Sequence, residues 1–246
     1  SALLCASVES GKSTLLDKFR GNTGLYFLDD VTAWAITSPT RGILARLVSG
    51  EIHHLVVPDL LVPTGRNSDT VETLVTFMNV LMEEGAIELQ TYATKLSLPD
   101  PIRCGLLAAL AREELERRRK VWMRIGFMSR LLPLSFSYTP DAVTNIQQSI
   151  ANRDHRNEKG ITLHLPSTPI EVELPSDIST KIMMLTPNTI ARMKGAEHLY
   201  GFRLQKQLQT LTLAHALRDG RHSAGKKDYD FTANATKFLN LDYTAI

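Results

Sequence analysis

The sequence is short of three features that would each assign it to a class of protein. It has only two cysteines, Cys5 and Cys104, both in apolar runs, which is typical of buried thiols in a reducing compartment. No apolar run reaches the roughly 20 residues that cross a bilayer, and no signal peptide is visible. The net charge of +2 is too small to indicate a nucleic-acid-binding surface over the whole chain. We therefore expect a cytoplasmic globular protein with no membrane partner, in which any basic surface is local.

The chain also has no initiator methionine, and its first apolar run, at residues 2–5, leads directly into the most distinctive motif of the sequence. A strand that begins at residue 2 leads us to expect that the sequence is part of a longer protein. Functions housed in an upstream part would leave no trace in these 246 residues.

Short apolar runs alternate with amphipathic helical patterns through the first 138 residues. Such alternation is typical of a parallel sheet with helices on both faces, so we predict an α/β fold. A hairpin is predicted at 87–99. Strands are predicted at 2–5, 25–28, 53–59, 102–110 and 131–138, and helices at 11–20, 43–48, 70–84 and 113–125.

The pattern changes after Tyr138. A helix begins there with Thr139 as its cap and Pro140 at its first position. Alternating residues at 161–174 predict a second hairpin, and helices are predicted at 176–185, 187–194, 203–218 and 226–239. We therefore predict two domains, an α/β core at 1–138 and a mainly helical lid at 139–246.

The motif that follows the first apolar run, "ASVESGKST", matches the phosphate-loop pattern G-x-x-x-x-G-K-[ST] except that Ala6 replaces the first glycine. In such a loop, backbone N–H groups and the start of a helix face the phosphates, the lysine reaches the β- and γ-phosphates, and the hydroxyl binds Mg²⁺. The alternative is a Ser-capped helix with a solvent-exposed lysine. We predict that nine residues bind phosphates: Ala6, Ser7, Val8, Glu9, Ser10, Gly11, Lys12, Ser13 and Thr14.

A phosphate loop needs a carboxylate at the end of another strand to hold Mg²⁺ together with Ser13. The acidic pair at 29–30 is one candidate, but only one helix separates it from the loop, which suits a neighbouring strand less well than a metal-holding one. We therefore predict that Asp59 supports the metal. The next position, where a water-orienting glutamate is usual, is Leu60, and Glu72 is a weak substitute.

Two arginines complete the pattern. Arg130 stands directly before an apolar strand, and Arg203 begins a long helix. The order of phosphate loop, aspartate-ended strand, hairpin, arginine and helical lid resembles the AAA+ P-loop ATPases, and in detail their minichromosome-maintenance helicase branch. The arginine finger of that branch stands in a Ser-Arg-Phe-like context, matched here by 129–131. The end of its lid is matched approximately by "LTLAHALRDGRHSAGKKDYDF", with Asp228 at the position of its aspartate.

The resemblance implies an AAA+-type ATPase that uses ATP and Mg²⁺ and assembles into a ring, a hexamer in that family. Lys12 and Ser13 would then contact the phosphates and the metal. Arg130 would reach the γ-phosphate of a neighbouring subunit, and Arg203 would be the phosphate sensor of the lid.

DNA is the candidate substrate that the resemblance implies for a helicase, translocase or remodeller. In related motors a hairpin loop contacts DNA, and the corresponding segment here is 91–95, with Lys95 as the candidate contact. The basic block within the helix at 113–125 is interleaved with glutamates, so we interpret it as a solvated face or a subunit contact.

Two departures from the family pattern affect hydrolysis more than binding. Leu60 replaces an acid, and the strand at 102–110 ends without a polar sensor residue. They favour the alternative function of a nucleotide-dependent switch or assembly protein with weak or no hydrolysis. A DNA-binding protein without enzymatic activity is a third reading, which the small net charge disfavours.

Overall fold

The chain folds into an α/β structure in which strands and helices alternate. The computed structural model describes residues 1–30, 35, 38, 42–65, 68–90, 95–154, 160–164, 166, 168, 170–193 and 199–240. The strands are β1 (Ala2–Ala6), β2 (Gly24–Phe27), β3 (Ile52–Val57), β4 (Ala86–Gln90), β5 (Lys95–Ile102), β6 (Gly105–Ala111) and β7 (Leu132–Ser135). The helices are α1 (Lys12–Asp17), α2 (Ile43–Val48), α3 (Leu61–Thr64), α4 (Ser68–Leu81), α5 (Arg112–Arg124), α6 (Pro140–Ala151), α7 (Ser176–Arg192), α8 (Phe202–Arg218) and α9 (Lys226–Ala235).

The central sheet has five parallel strands in the order β2-β3-β6-β1-β7. Side chains alternate between its faces along β6: Leu110 joins the main core with Leu115 of α5, whereas Ala109 joins a smaller cluster with Leu16 of α1. Because α1 and α5 lie on opposite faces, the predicted parallel sheet with helices on both faces is confirmed.

The predicted hairpin is confirmed as the antiparallel pair β4 and β5. The strand predicted to begin at Ile102 instead begins at Gly105, because Ile102 belongs to β5. Gly105 pairs with His54 of β3, and a Cβ at Gly105 would lie only 2.3 Å from the His54 Nδ1 atom. Glycine therefore allows β6 to approach β3 at this point.

The hairpin predicted at 161–174 is wrong for the described residues of that stretch. The backbone N–H of Ile161 donates to the Lys18 carbonyl, and the N–H of Leu163 donates to the Asn22 side chain. The first residues of the stretch therefore bond to the turn that follows α1, which itself ends at Asp17 and not at residue 20. Near the end of the stretch, the backbone of Glu173 bonds to the segment 222–224.

One helix, α7, replaces the two helices predicted on either side of residue 186. Pro187 lies inside it, where it removes one backbone N–H donor. The hydroxyl groups of Thr186 and Thr189 donate to the carbonyls of Ile182 and Leu185, so the helix keeps side-chain hydrogen bonds around the proline. The predicted break before Pro187 is therefore wrong, because the helix continues through the proline.

The helices α7 and α8 of the predicted lid share the hydrophobic core of the sheet, whereas α6 has no buried residue. Ile182 of α7 and Leu208 of α8 are fully buried and belong to the same cluster as Leu3 of β1.

Thr139 caps α6 by accepting from the Ala142 N–H, as predicted. No helix among the described ranges is long and apolar enough to cross a membrane. The boundary at residue 138 stays a prediction.

Asp228 joins α8 to α9. Its carboxylate is fully buried and accepts hydrogen bonds from both terminal nitrogens of Arg221 and from the Gly225 N–H, and it pairs with His215 at 2.6 Å. The hydrogen bonds from Arg221 hold the pKa of Asp228 well below its usual range. A buried charge with this many donors is stabilising only while all of them stay in place.

We expect Asp228→Ala to lower the free energy of unfolding by about 3 kcal/mol, because it leaves buried donors without their acceptor. The exposed Asp230→Ala is the matched control. A carboxyl with a depressed pKa stabilises the fold above its unfolded pKa of about 4 and loses that effect as the pH falls. Urea denaturation should therefore show the difference between parent and Asp228→Ala narrowing from pH 5 towards pH 2, and a constant difference would contradict this account.

Candidate functional site

The loop at 6–14 leaves β1 and enters α1 at the carboxyl edge of the sheet. Ala6, where the usual pattern has glycine, is the last residue of β1 and lies in extended backbone that alanine adopts without strain. The left-handed positions are Glu9, with φ 64°, and Gly11, with φ 73°. A left-handed glutamate costs about 1 kcal/mol, and such strain is most often found at functional sites.

The Lys12 ammonium group turns back into the loop. Its Nζ atom donates to the carbonyls of Ala6 at 3.0 Å and Ser7 at 2.6 Å and to the Ser10 hydroxyl at 3.1 Å. Only 9% of Lys12 is exposed, and its helix is preceded by Gly11 with no side-chain cap. The alternative of a Ser-capped helix with a solvent-exposed lysine is therefore wrong.

Two carboxylates lie close enough to Lys12 to affect its pKa. Burial lowers the pKa of Lys12, while Cys5 and the carboxylates of Glu113 and Asp59 act in the opposite direction. Asp59 follows β3, and Glu113 lies two residues beyond Ala111, the residue of β6 that pairs with Ala6. The loop and both carboxylates therefore meet at one edge of the sheet.

Ser13 and Asp59 are brought to the same place, as predicted for the metal site. The Ser13 hydroxyl donates to the Pro58 carbonyl at 2.9 Å, next to Asp59 in the chain. The exposed Asp59 carboxylate accepts from the Leu61 N–H at 2.9 Å. Asp29, from the competing acidic pair, is instead held by Arg20 at 2.7 Å, which favours Asp59.

Sequence reasoning missed two residues of this edge. The Tyr138 hydroxyl donates to the Ser10 carbonyl at 2.8 Å and so fixes the loop from the end of β7. Nothing in the sequence around Tyr138 signals this contact. Glu113 carries a sequence signal, because it is an acid that closely follows the strand predicted at 102–110.

Leu60 is buried and its N–H donates to the Ala109 carbonyl, so its side chain packs in the core. The side chain of Glu72 lies outside the described residues. The same holds for residues 91–94 and the side chain of Lys95, so the predicted DNA contact stays a prediction.

Arg130 and Arg203 lie together at the opposite edge of the sheet. Arg130 precedes β7, whose first residue, Leu132, bonds to Ser1 beside the start of β1. Because β1 spans five residues, the two edges are roughly 15 Å apart. Glu83 joins both arginines: its carboxylate oxygens lie 2.9 Å from Arg130 Nε and 2.8 Å from Arg203 Nε.

A scan of the chain against protein-family models returned no match, and neither did a search of curated protein sequences. The case for a function therefore rests on the residues of these two edges.

Proposed function

We propose that the chain is a P-loop ATPase module of the AAA+ type, which binds ATP with Mg²⁺ at the loop 6–14. The observation that carries this proposal is the buried Lys12 ammonium group, held inside the loop by oxygens of Ala6, Ser7 and Ser10. A lysine that is placed there needs only to exchange these neutral oxygens for phosphate oxygens, which are stronger acceptors for a cation.

The strand order supports a ligand at the same place. The adjacent strands β1 and β6 send their connections in opposite directions, through α1 to β2 and through α5 to β7. In open α/β sheets, ligands bind outside the carboxyl ends of the strands at such a switch point. The loop, Asp59 and Glu113 all lie at this edge.

The residues also fit Mg²⁺. This ion takes oxygen ligands and is usually held by one or two carboxylates, phosphates and several waters, not by a protein cage. Ser13 and Asp59 supply oxygens at the right edge, and no cluster of three or more His, Cys, Asp or Glu side chains with metal-binding geometry occurs among the described residues. Bound Mg²⁺ would neutralise charge on the β- and γ-phosphates.

Arg130 and Arg203 can serve this chemistry only from a second copy of the chain. They lie at the edge opposite to Lys12, so a ring in which one subunit presents its arginines to the next subunit's phosphates accounts for both edges. A hexamer follows from the family resemblance alone.

DNA is proposed as the substrate on the family resemblance alone. Within α5, Arg117 and Arg118 pair with Glu114 at 2.7 and 3.6 Å, which supports the interpretation of this helix as a solvated face and not as a phosphate-binding surface.

Glu113 takes the place of the acid missing after Asp59 in this proposal. It is exposed at the first turn of α5, directly after β6, which pairs with β1, and its charge acts on Lys12. A carboxylate there is placed to orient water towards the γ-phosphate. If it does not, the alternative of a switch that binds ATP without turnover holds, which the buried Leu60 favours.

We expect the parent chain to bind ATP with Mg²⁺ and Lys12→Ala to lose at least tenfold in affinity, because the charge that meets the phosphates is removed. Lys120→Ala, an exposed lysine of α5, should bind like the parent. Isothermal titration calorimetry measures all three. Equal affinities for the parent and Lys12→Ala would contradict the proposed site.

We expect Glu113→Gln to bind ATP like the parent and to lower its turnover by about 100-fold, because the amide cannot take up a proton from water. The neighbouring exposed Glu116→Gln should keep parental turnover. Phosphate release under single-turnover conditions separates chemistry from binding. Parental turnover in Glu113→Gln would remove its role, and ATP binding without turnover in the parent would establish the switch.

A further inference from the structure

Glu83 contacts Arg130 and Arg203 with one carboxylate oxygen each. Arg203 Nε donates a hydrogen bond to Glu83 at 2.8 Å, whereas Arg130 Nε lies 2.9 Å from the other oxygen in an ion pair that lacks hydrogen-bond geometry. The hydrogen bond from Arg203 and the charges of Arg130 and Lys206 lower the pKa of Glu83, so the carboxylate is ionised at neutral pH.

A second contact holds each guanidinium group. Arg130 Nη1 donates to the Gly126 carbonyl at 2.8 Å, and Arg203 Nη1 donates to the Ser129 hydroxyl at 3.0 Å. The Ser129 hydroxyl in turn donates to the Gly126 carbonyl at 2.9 Å. Arg130 therefore donates through Nη1, and Arg203 donates through Nε and Nη1. The Nη2 groups of the two arginines make no hydrogen bond to any residue that the structure describes.

Gly126 is needed for this arrangement. It has φ +75°, and a Cβ atom there would lie 2.7 Å from Arg130 Nη1. Any larger residue would be strained and would displace the guanidinium group.

A cavity of about 250 Å³ opens beside the cluster. Its walls include three cationic side chains, Arg130, Arg203 and Lys206, against the single carboxylate of Glu83. The local charge stays positive after Glu83 is counted, so the cavity suits an anion and Glu83 does not neutralise it.

We propose that Glu83 is a positioning residue, which holds Arg130 and Arg203 in place so that their Nη2 groups, together with Lys206, receive one phosphoryl group. This inference rests on the proposed function, in which that group is the terminal phosphate of a nucleotide bound to a second copy of the chain. An arginine side chain loses rotamer freedom when it is fixed, which opposes binding. Glu83 fixes both arginines before the phosphate arrives, which is how preorganised donors stabilise developing charge.

Mixed assemblies of two variants test this role. Lys12→Ala lacks a working loop but offers intact arginines, whereas Arg130→Ala offers a working loop without its arginine. Each should be inactive alone, and their mixture should recover ATP turnover through the pairs in which an intact loop meets intact arginines. Failure of this mixture to recover turnover would contradict the shared site of the proposed function, and the role of Glu83 with it.

Glu83→Gln is then mixed with each of these two variants in turn. Mixed with Lys12→Ala, it supplies the loop and should support turnover as well as Arg130→Ala does. Mixed with Arg130→Ala, it must supply the arginines, and turnover should be at least tenfold lower than when the parent supplies them. Glu84→Gln, the exposed neighbour, should perform equally well in both roles.

The difference in turnover between the two mixtures distinguishes a positioning role of Glu83 from a general loss of folding. A misfolded Glu83→Gln fails in both mixtures, and a residue without a role succeeds in both. Either result would overturn the inference about Glu83 while leaving the recovered turnover of Lys12→Ala with Arg130→Ala intact. The affinity of Glu83→Gln alone for ATP should equal that of the parent, because its own loop is unchanged.

Discussion

The buried ammonium group of Lys12 is the constraint on which the rest of the site depends. A cation removed from water is costly unless oxygens surround it. Here the loop supplies two carbonyls and a hydroxyl, and Glu113 and Asp59 lie close enough to favour the charge. The left-handed backbone at Glu9 and Gly11 gives the loop the curvature that this requires.

The sheet divides the residues of the proposed site into two halves at its opposite edges. Parallel strands collect the loop, Asp59 and Glu113 at their carboxyl ends, whereas Arg130 stands before β7 at the other end. The length of the strands keeps the halves apart within one chain. In the proposed function, this division would make chemistry depend on assembly, because one copy would hold the phosphates and the next copy would supply the guanidinium groups.

The sequence predicts those parts of the structure that depend on neighbouring residues. Apolar runs predicted the five strands, and the spacing of Gly11, Lys12 and Ser13 predicted the loop. Contacts between distant residues carried no such signal: nothing near Glu83 indicates that it meets Arg203, which is 120 residues away. The stretch at 161–174 shows the opposite error: its residues alternate as in a hairpin, but their backbone groups bond to the turn after α1 and to the segment 222–224.

Amide hydrogen exchange with and without ATP and Mg²⁺ tests the central claim most directly, because it locates the ligand as well as detecting it. The account predicts that ATP slows exchange of the backbone amides at 7–14, whose N–H groups would face the phosphates. It also predicts that Lys12→Ala abolishes this protection. Unchanged exchange at 7–14 under conditions in which ATP is bound would contradict the account, because the nucleotide would then occupy another part of the molecule.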